Sequence, residues 1–318
     1  MAVGERVQRR AQVPRELEGQ RLDQAAAALF GDFSRARLQH WIGAGDLRVD
    51  GAARRSKDRL AGGEWLCLDA PLEPAGDWVE QAVPLRVVYE DAELLVIDKP
   101  AGLVVHPGAG NPDGTLLNGL LRHCPGLRAL PRAGIVHRLD KDTTGLLVIA
   151  RTLRAHADLV AQLRARTVSR DYDALVRGLV ISGGTVDAPL GRHPTARTRM
   201  AVVTGGRAAV THYRVAQRLP RHTLLRVSLE TGRTHQIRVH LAHIGYPVAG
   251  DPLYGGRLQL PAGTDPAAAA ALTAFRRQAL HAARLSVRHP ATGATMTWEA
   301  PLPADFAALL EALAGDDG

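Results

Sequence analysis

A chain of 318 residues with 46% hydrophobic content has room for about two domains and a substantial core. Its two cysteines, Cys67 and Cys124, show no metal or redox spacing, which argues against a disulfide framework, a zinc module and a thiol enzyme. A formal net charge of +8 and a pI of about 10.1 favour a polyanionic partner, and no apolar run approaches the ~20 residues of a membrane span.

All but three of the 40 basic residues are arginine, the exceptions being Lys57, Lys99 and Lys141. GC-rich coding favours arginine over lysine but does not by itself create a charge excess. The N-terminus has no apolar h-region, so no signal peptide is read, and a soluble, cytoplasmic protein is expected.

Residues 1–14 are polar and basic and are expected to form a flexible tail. A small unit is expected over 15–70. Arg21-Leu22-Asp23 opens an alanine-rich helix ending near Gly31. Ser34 is placed to cap a second helix, with Leu38, Trp41 and Ile42 at helical spacing and Gly45 at its end. Leu47 and Val49 alternate as a strand before the Asp50-Gly51 turn, and Trp65, Leu66 and Leu68 suggest a returning strand. The two helices and basic β-ribbon resemble the S4 RNA-binding domain, which implies that Arg35, Arg37, Arg48 and Arg55 face phosphates. The other reading is a structural cap with a solvated charged face. Glu73, Pro74, Gly76, Asp77 and Pro84 mark 71–84 as a linker.

The second domain is expected over 85–318. Val87–Tyr89 and Leu94–Ile97 flank Glu90-Asp91-Ala92-Glu93 as a hairpin. Thr115 to Arg122 and Leu153 to Arg166 read as helices. Tyr172 to Val176, Ala201 to Val203, Thr211 to Val215 and Leu224 to Leu229 read as strands. Ile237, Leu241 and Ile244 fit one helix face, and Asp305 is placed to cap a final helix through Leu313. Hairpins with scattered helices favour an α+β fold with a largely antiparallel mixed sheet.

The most informative stretch is His137-Arg138-Leu139-Asp140-Lys141-Asp142-Thr143-Thr144-Gly145, which runs into the apolar Leu146–Ala150. A loop fixed to a buried strand is a common seat for catalytic groups, although a charge cluster on a turn is also an ordinary solvated feature. The stretch resembles the H-R-L-D-x-x-T-[ST]-G motif of the RluA-type RNA pseudouridine synthases. Thr231–His240 resembles that family's second long motif. Gly250-Asp251-Pro252-Leu253-Tyr254-Gly255 and Leu280-His281 continue the match in order. Val105–Gly114 is similar to the family's D-type members, which act on large-subunit ribosomal RNA.

This resemblance implies an isomerase that detaches uracil at its N-glycosidic bond, turns it and rejoins it through carbon. Such a reaction exchanges no electrons and needs no cofactor. The chain shows neither a Walker loop nor a dinucleotide fingerprint. The reaction does need a carboxylate near the anomeric carbon, and the resemblance implies Asp140, acting as nucleophile, base or electrostatic stabiliser. It places Arg238 beside that carboxylate and makes Tyr172 the ring that stacks on uracil and helps remove the proton from carbon five. By residue type alone, Tyr172 reads as core and Arg238 as a phosphate contact.

A paired uridine must leave its stack to reach such a pocket. Arg138 resembles the family arginine that fills the vacated space, and His137, grouped with it at the RNA interface, is expected to orient the loop. His235, His240 and His243 lack a standard zinc spacing. The expected partner is 23S ribosomal RNA or a pre-ribosomal particle, bound by a monomer with no membrane contact, and helix 69 is the expected target. A non-catalytic RNA-binding or ribosome-assembly protein and an RNA hydrolase are the alternatives.

Overall fold

The structure is a computed structural model that describes residues 6–31, 33, 35–71, 78–108, 110–196, 198–258, 260 and 263–315. The Ser34 cap and the linker residues Glu73, Pro74, Gly76 and Asp77 lie outside the described residues.

The N-terminal unit runs β1 (Arg6–Gln12), α1 (Leu22–Leu29), α2 (Arg35–Ala44), β2 (Leu47–Val49) and β3 (Trp65–Pro71). Its three strands lie in the order β1-β3-β2, all antiparallel. From residue 6 on the expected loose tail is corrected, residues 1–5 lying outside the described residues: β1 pairs with β3 from Arg6↔Pro71 to Gln12↔Trp65, and Val7 and Val13 are buried. The sequence Arg9-Arg10 looked loose because β1 keeps its polar residues exposed and buries only Val7. The unit has its own core of Leu22, Leu38, Trp41, Ile42, Leu47 and Leu66.

A second body follows with β4 (Val87–Glu90), β5 (Leu94–Lys99), α3 (Leu116–His123), β6 (Thr144–Ala150), α4 (Leu153–Arg164) and β7 (Ser169–Arg177). It continues through β8 (Gly184–Asp187), β9 (Leu190–Arg192), β10 (Met200–Val202), β11 (Val210–Arg218), β12 (His222–Leu229) and α5 (Gln236–His243). It ends with α6 (Pro266–Ala274), β13 (Leu280–Arg288), β14 (Thr295–Glu299) and α7 (Ala304–Ala314). The main sheet has the order β4-β5-β6-β13-β7-β12-β11-β8, with β14 joining β13 from Arg284, just past the short β13–β6 pairing at His281 and Ala282. Only β6 and β13 pair in parallel among the described residues, so the fold is α+β with a mostly antiparallel mixed sheet.

The apolar run of β6 is buried along its whole length because both faces of the sheet are covered. Leu147 and Ile149 belong to the core cluster that holds Leu116, Leu117 and Leu120 of α3, while Leu146 and Val148 belong to the one that holds Ala155 and Leu159 of α4. Each such fully buried leucine contributes about 1.5–3 kcal/mol. That double layer fixes the strand from which the Asp140 loop emerges.

Two expectations change, on the linker and on the Asp305 cap, and one helix appears that the sequence pattern did not place. Residues 78–83 are not free linker: Asn118 Nδ2 donates to the Val79 carbonyl at 2.7 Å, and Gln81 N–H donates to the Asn118 carbonyl at 3.0 Å. The alanine tract 267–271 is helical, capped by the Asp265 carboxylate accepting from Ala267 and Ala268 N–H groups. Asp305 is not the cap of α7; Pro303 is, and the Asp305 carboxylate instead takes both Nε and Nη2 of Arg277 at 2.7 and 2.8 Å.

Candidate active site

The loop ahead of β6 is held from every side. Thr143 N–H donates to the Asp140 carbonyl at 3.1 Å, which closes the turn. Lys99, fully buried at the end of β5, donates to the carbonyls of Pro100, Leu103 and Lys141 at 2.7, 3.0 and 2.8 Å. Three carbonyls match the three donors of an ammonium. Burial lowers the Lys99 pKa to about 8, against the attraction of Asp142 and Asp140. Gln278 Nε2 donates to Thr143 Oγ1 at 3.0 Å, and Arg277 Nη1 reaches the Asp142 carbonyl at 3.3 Å. Gly145 is required: its φ is +108°, and a Cβ there would stand 2.3 Å from the Ala282 carbonyl oxygen of the parallel neighbour β13.

Two histidines complete the scaffold. His281 Nε2 donates to the Ala300 carbonyl at 3.2 Å, and its Nδ1 meets the Thr144 hydroxyl at 2.9 Å. His137 Nε2 accepts the Val148 N–H at 3.1 Å. Burial, followed by the charge of Arg170, pushes the His137 pKa down to about 3, so the ring stays neutral and keeps that acceptor at neutral pH.

Asp140 is thereby presented to a guanidinium on α5. Arg238 donates from Nη1 to Asp140 Oδ2 at 2.9 Å, and from Nε and Nη2 to Asp251 Oδ2 and Oδ1 at 2.6 and 2.8 Å. Asp251 also accepts the N–H groups of Leu253 and Tyr254 at 2.8 and 3.0 Å. Burial pushes its carboxyl pKa up, but Arg238 and these N–H groups outweigh burial and hold it below the usual range. The Tyr254 ring lies 5.1 Å from the Arg238 guanidinium. Its hydroxyl meets His235 Nδ1 at 2.8 Å, and His235 Nε2 faces Asp140 Oδ1 at 3.9 Å. His235 starts α5 with φ of 56°, a left-handed backbone that ordinary side chains seldom adopt outside constrained sites.

Asp140 opens on a cleft of about 900 Å³, lined by Arg132, Arg138, Arg164, Arg166, Arg207 and Arg233 among others, against the acids Asp140 and Glu230. Tyr172 of β7 forms part of its wall, between Val227 and Ala282 of the neighbouring strands, and is 6% exposed. Burial raises the Tyr172 pKa, so the hydroxyl is protonated at neutral pH. The cleft combines one carboxylate fixed by a paired guanidinium, one wall tyrosine and an excess of cations, an arrangement suited to a polyanion that presents a sugar or base to the carboxylate.

Sequence comparison agrees with this geometry. Residues 93–243 match the family model described as RNA pseudouridylate synthase. The chain is 59% identical over 310 residues to the "Ribosomal large subunit pseudouridine synthase D" of Pseudomonas aeruginosa, covering 98% of this chain and 97% of the relative. It is 50% identical over 315 residues to the protein of the same name from Escherichia coli K12, covering 99% and 97%. It belongs to the RNA pseudouridylate synthase family. It is therefore an isomerase. The solved structure of human RNA pseudouridylate synthase domain containing 4 aligns with a TM-score of 0.57 at 27% identity, over 72% of this chain and 92% of that one.

The structure brings Asp140, Tyr172 and Arg238 to one cleft. Arg138 is exposed at the same cleft. His137 lines it too, but the ring nitrogen it commits goes to the β6 backbone, so the orienting role has the geometry and the RNA contact does not. The Arg35 guanidinium is bound to the fully buried Asp23 at 2.7 Å, together with Arg21, while about half of its side chain stays exposed. Arg37 lies 5.6 Å from the Trp41 ring, Arg48 Nε donates to the Gly45 carbonyl at 3.0 Å, and Arg55 is exposed. The metal-like histidines separate: His240 is buried between Thr211 Oγ1 and the Ala188 carbonyl, whereas His235 sits beside Asp140.

Sequence reasoning missed the partner role of Asp251 and Tyr254, although both lie in the Gly250–Gly255 motif segment. Lys99 carried one signal, as one of three lysines in a chain whose other basic residues are all arginine. Nothing in the sequence marked Arg170.

Proposed function

We propose that this chain converts uridines of large-subunit ribosomal RNA to pseudouridine, with helix 69 as the target and Asp140 as the catalytic carboxylate. The observation that carries the reading is the Asp140 carboxylate, aimed into an arginine-lined cleft by the Arg238 fork and a fully anchored loop. Full-length similarity to proteins named for the large ribosomal subunit supports the RNA class. In the reaction the bond from N1 to the anomeric carbon breaks, the base turns, and a bond from C5 to the same carbon forms. C5 loses a proton and N1 gains one, so no redox partner or cofactor enters the balance. With Oδ2 held by Arg238, Oδ1 is the oxygen left to meet the sugar. Tyr172 supplies the stacking wall, and Arg138 occupies the space the uridine leaves.

The N-terminal unit is assigned as an S4-like RNA-binding domain, with Arg35, Arg37, Arg48 and Arg55 toward phosphates. We place the protein in the cytoplasm as a monomer; among the described residues no helix is long and apolar enough to cross a membrane.

Mapping pseudouridines in large-subunit RNA from cells lacking the protein tests the target. The helix 69 uridines should stay unmodified, return with the wild-type protein and remain absent with Asp140→Asn. Turnover should fall at least ~100-fold in that variant, the lower end for a lost acid–base group. Near-wild-type turnover by a folded Asp140→Asn protein would end the assignment.

A further inference from the structure

Arg170 lies on β7 two residues before Tyr172, on the same face of the strand, and lines the same cleft. Only 7% of it is exposed. Among the described residues its Nε, shielded from solvent, has no hydrogen-bond partner, and no carboxylate pairs with its guanidinium. The nearby acids are committed elsewhere: Asp140 to Arg238, Glu230 to Arg166 and His212, and Asp171 to the Ser228 hydroxyl. Arg277 is just as buried but is matched by Asp305.

The turn ahead of α5 keeps room for this group. A Cβ on Gly232 would stand 2.8 Å from Arg170 Nη1, so any other residue there would push the guanidinium out of place. A shielded guanidinium without a counter-charge is unfavourable in the free protein, because desolvation is not repaid by a partner. Such a group gains its partner when an anion arrives. The anions that an RNA carries are its phosphodiesters, whereas uracil is neutral when it enters. A phosphate also offers two oxygens to the planar guanidinium fork.

We propose that Arg170 receives a phosphodiester oxygen of the nucleotide drawn into the cleft, so that the RNA supplies the counter-charge the protein omits. This rests on reading the cleft as the uridine site. Bound there, the phosphate fixes the nucleotide's backbone on the β7 wall, next to Tyr172 and across from Asp140. Arg170 is then a substrate-binding residue that contributes nothing favourable to the free fold.

The test uses the full chain and a helix 69 stem-loop RNA, made with its natural backbone or with one neutral methylphosphonate immediately 5′ or 3′ of the target uridine. Affinity, isomerisation and thermal stability are measured for wild type, Arg170→Met and Arg170→Lys. Arg170→Met should be at least as stable as wild type without RNA, and should bind the natural RNA about tenfold more weakly, the effect of removing one charge-assisted hydrogen bond. One of the two methylphosphonates should weaken the wild type by a similar factor and leave Arg170→Met unchanged. Arg170→Lys should recover part of the affinity and keep sensitivity to that phosphate. A less stable Arg170→Met with unaltered preference for the charged backbone would overturn the proposal in favour of a structural role. Fully additive effects at both phosphates would overturn it in favour of a contact to the base or sugar. Absence of isomerisation by the wild type would instead sink the functional reading, while the affinity cycle would still decide Arg170.

Discussion

On the α5 side of the cleft, Arg238 is 3% exposed and faces two carboxylates; on the β7 side, Arg170 is 7% exposed and, among the described residues, faces none. The two arginines share burial and differ in pairing. A buried cation with fixed partners has one orientation and can orient what it touches, as Arg238 orients Asp140. A buried cation without partners keeps its bonding capacity for a ligand. The α5 side is thus complete before RNA arrives, and the β7 side is completed by it. A third arrangement occurs in the N-terminal unit, where Arg6, Arg21 and Arg35 are half exposed and each is tied to an aspartate.

The largest effect should come from breaking the complete side. Asp251→Asn removes the charge that Arg238 Nε and Nη2 share, and loss of one member of a buried pair costs about 3–5 kcal/mol. Urea unfolding at neutral pH should show a loss of that size, with activity falling alongside. The pH dependence has a definite sign. Because the Asp251 carboxyl is held below its ordinary value, its contribution is full above about pH 4 and is lost as pH falls through its lowered value. The wild type should therefore lose stability on the acid side faster than Asp251→Asn. Parallel acid profiles would mean that the pair does not anchor the site.

Arg238→Lys tests geometry with charge retained. One ammonium cannot hold Asp251 by two parallel bonds and Asp140 by a third in one plane. We expect kcat to drop about 10- to 100-fold, as for a misplaced catalytic group, with little change in KM. A proportionate rise in KM would show that Arg238 binds RNA instead.

Tyr172→Phe should act more narrowly. The ring still fills the wall between Val227 and Ala282, and removing the hydroxyl breaks no hydrogen bond among the described residues. Affinity and stability should hold, while single-turnover experiments should show slowed loss of the C5 proton. Unchanged single-turnover rates would leave Tyr172 as a packing residue.

The smallest effect on chemistry should come from removing the N-terminal unit. A protein beginning at Trp78 keeps the segment docked on α3 and Trp78 itself, which lines the cleft. It should fold and isomerise short RNA at saturating concentration. Its affinity for large RNA should fall, and the slope of log affinity against log salt should shrink by about one for each phosphate no longer neutralised. An unchanged slope would make the unit a structural cap. Inactivity at saturating RNA would show that it helps build the site.

How much of this was legible varied with the reach of the interaction involved. Local pattern placed α2 through Leu38, Trp41 and Ile42, and the β4–β5 hairpin through its alternation around Glu90–Glu93. It failed for β1, whose residues become a strand only because β3 offers an edge. It also failed for β13, the sheet's central strand, whose Leu280–Arg288 sequence mixes arginine and histidine with alanine because its burial depends on β6, β7 and β14.

For the site, the sequence by itself determined the groups able to do chemistry: a loop bearing Asp140 ahead of a strand too apolar to be anywhere but the core, and a motif carrying Arg238. The loop and its strand are encoded in residue type and short spacing, whereas the choice of Asp140 and Arg238 rests on the resemblance to the family's motifs. Local sequence could not show the pairing: the family resemblance alone led one to expect Arg238 beside Asp140, and the tertiary structure supplies the contact and adds Asp251 and Lys99 around it. Arg238 and Asp140 lie 98 positions apart, and Lys99 reaches the Lys141 carbonyl across 42. Whether a given arginine is satisfied depends on which carboxylates the fold brings within about 3 Å of it, and on which glycine leaves it room. Residue type alone does not separate Arg170 from Arg238, and only the folded sheet and the turn at Gly232 give one of them two carboxylate partners and leave the other, among the described residues, with none.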